Sequence, residues 1–126
     1  MNYDPDTAPD PNEWLGIDEG ERIATVETFH KGVFEDHRRT MAHSTFHVIV
    51  ENQIAVGEKT PARATAERLM SEGISRHEAI HAIGSVLSGV MADAVKGQAL
   101  YSEESYFKEL EELTVEKWVK DYSGED

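Results

Sequence analysis

The sequence predicts an all-α protein of about five helices, set in antiparallel hairpins as an irregular bundle or a short helical-repeat-like array. Three observations predict it. Apolar residues recur at three- and four-residue steps over most of the chain, which is the period of a helix with one face turned inward. Capping residues and glycines bracket these stretches. No segment alternates with period two over a strand's length, although Phe46–Val50 (FHVIV) is an ambiguous apolar piece. The links are short, and this favours neighbours that run antiparallel.

The elements follow in order. Residues 1–16 carry three of the chain's four prolines among several aspartates, and read as a flexible acidic tail whose end Trp14 and Leu15 can pin to the domain. A first helix begins after Asp18, a capping residue with Glu21 three positions on, and turns Ile23, Val26, Phe29, His30 and Val33 inward. A second spans about 40–56 with Phe46, Ile49, Val50 and Ile54 on one face, and ends at Gly57. Pro61 suits the first turn of a third, which closes at Gly73. A fourth starts after Ser75, carries Ile80, Ile83, Leu87, Val90 and Met91, and ends near Gly97. Ser102 caps a fifth with Phe107, Leu110, Leu113 and Trp118 inward. Residues 17–122 therefore form a single helical domain, and 123–126 an acidic fringe.

The chain has 126 residues, with 25 acidic against 12 basic side chains and a formal net charge of −13. Such a field repels phosphate backbones and anionic lipid, so neither nucleic acid nor membrane is an expected partner. With no cysteine there are no disulfides, thiolate metal sites or thiol nucleophiles. The N-terminus lacks a signal-peptide pattern and no apolar run reaches bilayer length, so a cytoplasmic protein is expected.

Six histidines are present, and four form two H-x-x-x-H pairs: His43 with His47, and His77 with His81. Side chains four apart on a helix sit one above the other, within reach of one cation. Each pair lies at the edge of an apolar stripe, and Glu51 continues the His43–His47 row. The pairs can therefore meet across a contact between the second and fourth helices. There His43, His47, His77, His81 and Glu51 would offer nitrogen and oxygen ligands to zinc, iron or manganese. Asn52 and Gln53 would orient imidazoles by hydrogen bonding. The other reading is a non-catalytic protein–protein interaction module, in which the histidines bond one another or backbone carbonyls without metal. A protein partner or second copy would then use the acidic surface or the aromatics Trp14, Trp118, Tyr106 and Tyr122, of which Tyr106 and Trp118 fit a core edge better. His30 fits the core margin and His37 a solvated charged stretch.

Within H-E-x-x-H (His77–His81), a zinc protease would use the glutamate as general base. Here Ser75 and Glu78 instead form the S-x-x-E capping box of a helix start. The only acid downstream on that helix is Asp93, and no third histidine follows. A helix-turn-helix at the same junction would present Glu78 toward phosphates, against the electrostatics of DNA binding. No reaction is assigned.

Residues 43–91 resemble an uncharacterised family of short bacterial proteins, a domain of unknown function. Its members share H-x-x-x-H, then E-x-Q or A-N-Q, then R-H-E-x-x-H ahead of a G-S-V-like segment. The matching residues are His43, His47, Glu51, Asn52, Gln53, Arg76, His77, Glu78 and His81. The resemblance implies a helical fold in which both histidine pairs belong together.

Overall fold

A computed structural model describes residues 2–30, 37–97 and 101–122, with the side chains of His37 and Tyr122 excluded. Val33, the fringe 123–126 and the proposed contact of Tyr122 lie outside the described residues. Among these there are seven α-helices and one 3-10 turn, and no strand. The helices are α1 (Pro11–Gly16), α2 (Glu19–Phe29), α3 (His37–Ala55), α4 (Ala62–Ser71), α5 (Arg76–Val95), α6 (Glu103–Glu112) and α7 (Val115–Tyr122). The all-helical bundle matches the sequence reading, but the count of about five does not.

The two extra helices have identifiable causes. Pro11 opens α1 with Asp10 capping it, its carboxylate accepting from the Glu13 amide at 3.0 Å. Proline is compatible with a first turn because its missing N–H has no partner there. The segment expected as a tail is thus partly helical, and it buries Tyr3, Pro5 and Trp14. Trp14, a candidate for partner contacts, is core. The expected fifth helix breaks at Leu113, whose backbone is extended. The Thr114 hydroxyl caps α7 by accepting from the Lys117 amide, and Glu72 takes the Val115 amide at 2.8 Å. From α4, the Arg68 guanidinium donates to the Leu110 carbonyl at 2.9 Å and to that of Leu113, which satisfies the end of α6.

Two apolar cores flank α3. Val50 and Ile54 pack with Ala66 and Leu69 of α4, Ile80, Ile83, Val86 and Leu87 of α5, and Tyr106, Leu110 and Leu113 beyond; Trp118 is half-buried against this core. On the other side Val48 joins Tyr3, Trp14 and Val26. The row His43–His47–Glu51 runs between the two cores. Helix α5 has the length and composition to cross a bilayer, contrary to the sequence reading. Its apolar residues from Ala79 to Leu87 lie at the centre of the bundle, where the helix contacts α3, α4, α6 and α7, whereas Met91, expected to face inward, and Val95 are exposed.

The start of α5 fixes the register of His77 and His81. Ser75 accepts from the Glu78 amide at 3.1 Å, and the Glu78 carboxylate accepts from the Ser75 amide at 3.2 Å. Gly73, at φ +110°, makes the turn before it, where a side chain would be strained. Ser75→Ala is expected to destabilise the protein by about 1 kcal/mol, read by urea denaturation. A loss under a few tenths would show that the cap does not hold this junction.

Candidate metal centre

The two histidine pairs meet. Ring centroids lie 4.3 Å apart for His77–His81, 5.3 Å for His47–His77 and His47–His81, and 4.9 Å for His43–His81. A fifth ring joins them from the C-terminal end of α2: His30, 4.8 Å from His47 and 4.5 Å from His43. One ring nitrogen from each of His30, His47, His77 and His81 lies within 4.8 Å of the other three, a set able to coordinate a divalent metal ion. His43, expected as a ligand, stands beside this set. His30, which the sequence reading assigned to the core margin, takes its place.

Two of the rings are oriented by hydrogen bonds that fix which nitrogen carries the proton. The His30 Nδ1 faces the Val26 carbonyl at 3.0 Å, and a carbonyl can only accept, so Nδ1 bears the hydrogen. The His47 Nδ1 is 2.9 Å from the Tyr3 hydroxyl. That hydroxyl donates to Glu51 at 2.5 Å and therefore accepts from His47. Both rings thus present an Nε2 lone pair inward, the arrangement in which metal-binding imidazoles are held. The Nε2 atoms of His30, His47 and His77 are buried and have no hydrogen-bond partner among the described residues, and the Nε2 of His81 is buried beside them.

Glu51, also expected as a ligand, is committed elsewhere. It is buried and held by the Arg76 guanidinium in two parallel bonds, at 2.7 and 2.8 Å, besides accepting from Tyr3. Its part is to orient His47 through Tyr3. Asn52 and Gln53 do not touch the imidazoles as proposed. The Asn52 side-chain oxygen accepts from the Trp14 indole and from Arg22, at 2.9 and 2.7 Å, and that of Gln53 from the Tyr106 hydroxyl at 2.7 Å. Both are drawn away by longer side chains with a fixed donor. Glu78 is exposed in its capping box.

The N-terminal segment closes one side. Arg76 donates to the Pro5 carbonyl at 2.9 Å, and Asp6 accepts from the His77 amide at 3.0 Å. The Phe29 ring packs edge-on to both His30 and His77. Nothing in the spacing of the sequence marks Tyr3. His30 carries one signal, a histidine just past a helix end, where an imidazole can bond a last carbonyl.

Burial, together with the neighbouring imidazoles, pulls the His30 pKa down to about 4 and that of His47 to about 2. Burial and the Glu51 carboxylate push the Tyr3 phenol well above its ordinary value, which keeps it a donor. Both rings are neutral at pH 7 and ready to ligate. In the unfolded chain they take up protons near pH 6.5, so below that the unfolded state binds more protons than the folded one. Stability of the metal-free protein from these rings is thus present above pH 6.5 and falls as the pH drops, the His30 share until about pH 4 and the His47 share until about pH 2. The expected loss from pH 7 to 5.5 is roughly 2–3 kcal/mol by urea denaturation. A flat profile would contradict the burial of neutral rings.

No family model, no curated protein and no solved structure matches the chain, so its function has to be read from this site.

Proposed function

We propose that the protein binds one divalent transition-metal ion through the Nε2 atoms of His30, His47, His77 and His81. The observation that carries the reading is the convergence of four imidazole nitrogens, of which the Nε2 atoms of His30, His47 and His77 are buried and have no hydrogen-bond partner among the described residues. Each unsatisfied buried polar atom costs about 1–3 kcal/mol, and facing lone pairs cannot satisfy one another. In a metal-free module the histidines were expected to bond each other or the backbone. That accounts for the His30 Nδ1 and leaves its Nε2 unexplained. A metal at about 2.0–2.1 Å from each nitrogen satisfies the three orphaned atoms of His30, His47 and His77 at once and takes His81 as its fourth donor, after a small inward movement of the rings.

The donor set favours zinc or ferrous iron. It is all imidazole, whereas manganese prefers carboxylate and water, and the buried carboxylate beside the site, Glu51, is already paired with Arg76. The Arg76–Glu51 pair also joins the two halves of the motif on which the family resemblance stands, the arginine of R-H-E-x-x-H and the glutamate of E-x-Q. Proteins that share both motifs are therefore expected to share this pair and the placement of His47, His77 and His81, whereas His30 lies outside the matched segment.

The contrast between His30 and His43 tests the assignment. His30→Ala is expected to weaken zinc binding by at least 10-fold in a competitive chelator titration, whereas His43→Ala leaves it within a few-fold of wild type. The reverse order would show that the paired histidines of the sequence, and not the four converging nitrogens, form the site.

A further inference from the structure

The metal position is closed on one side and open on the other. Phe29, the Tyr3–Pro5 segment and Asp6 cover the side of His30 and His77. On the opposite side a cavity of about 270 Å³ lies between α3, α5 and α7, and His43, His47 and His81 are among its lining residues. Two of the four proposed ligands thus form part of its wall. The remaining wall is apolar at Phe46, Ile80 and Trp118, with the exposed Arg39 contributing a cation. A methyl group built onto Gly84 would meet nothing within 4 Å, so the backbone of α5 leaves this space open. The volume lies just below that of sites for drug-sized ligands, which limits the occupant to a small molecule.

Charge decides its sign. An imidazole that ligates a metal does so without charge, so a dication bound by four of them keeps its two positive charges in a buried place, and buried charge needs a partner. Glu51 is neutralised by Arg76, and Asp6, which keeps its charge, is solvent-exposed on the closed side and turned to the His77 amide. A mobile anion entering from the cavity supplies the missing charge, and a fifth donor is compatible with zinc, iron or cobalt. We infer that a small organic carboxylate binds the metal from this cavity, with its charged end between His47 and His81 and its apolar end against Phe46, Ile80 and Trp118.

This inference rests on the metal reading, and one experiment separates their failures. The full chain is loaded with cobalt(II), whose visible absorption reports its coordination, and titrated with azide, acetate and benzoate. One cobalt per chain is expected, with a spectral change for each anion and benzoate binding roughly 10-fold more tightly than acetate because it buries an apolar ring. Gly84→Leu, and independently Ser88→Phe at another lining position, should keep the cobalt and lose the benzoate response. Bound cobalt whose spectrum no anion alters overturns the ligand inference and leaves the metal reading standing. Equal affinity for acetate and benzoate, or an undiminished benzoate response in both variants, overturns the cavity assignment. Failure to bind cobalt at all overturns both.

Discussion

A saturating excess of zinc is expected to raise the unfolding temperature of the metal-free protein by roughly 10–20 °C, with no shift in His47→Ala. The size follows from linkage. A ligand that binds only the folded state at a thousand times its dissociation constant adds about 4 kcal/mol, and each kcal/mol moves the midpoint of a chain of this length by several degrees. The four rings, from the end of α2 and from α3 and α5, meet only in the folded chain, so a metal held by them would bind the folded state alone. His47 is the decisive position because it is 2% exposed and anchored through Tyr3 to Glu51. Comparing each variant with and without zinc cancels any loss of intrinsic stability from the substitution. A thermal shift in His47→Ala equal to that of wild type would place the metal elsewhere.

The second large effect belongs to the buried pair beneath the site. Arg76→Met is expected to destabilise the metal-free protein by about 3–5 kcal/mol, because it strands the Glu51 carboxylate in the interior. Among the described residues, only the Tyr3 hydroxyl would remain as its partner. Adding Glu51→Gln should restore much of the loss, since the penalty comes from the uncompensated charge more than from the missing contact. Urea denaturation of the two variants gives the comparison. If the double variant is as unstable as Arg76→Met alone, the pair holds the fold by packing and not by charge compensation.

Much of this arrangement is legible in the sequence because it depends on local spacing. The helical period, the Ser75–Glu78 capping box and the i,i+4 placement of His43–His47 and His77–His81 are set within a turn or two of chain. The meeting of the two pairs follows from their positions at the margins of two inward stripes. What the spacing does not carry is the ordering of distant segments. Tyr3 reaches His47 and Glu51 across more than forty residues, and proline-rich composition argued for solvent there. His30 belongs to the inward stripe of α2 and its ring turns onto the Val26 carbonyl, but its meeting with His47 and His77 is a tertiary placement that the period does not carry. Glu51 follows the histidine row and so reads as a ligand. Arg76, adjacent to His77, takes it first with a planar fork that matches a carboxylate better than a shared cation would. The division of the last helix depends on Arg68 of α4 and on Glu72, which caps its end, and no reading of residues 102–122 alone includes them.

The central claim is that the converging nitrogens of His30, His47, His77 and His81 hold a metal ion. Elemental analysis of protein purified without an affinity tag, then dialysed against zinc or anaerobic ferrous iron and desalted, tests it most directly. The account predicts close to one metal ion per chain in the wild type and almost none in His77→Ala. Less than a tenth of an ion per chain in the wild type, with either metal offered, would contradict it.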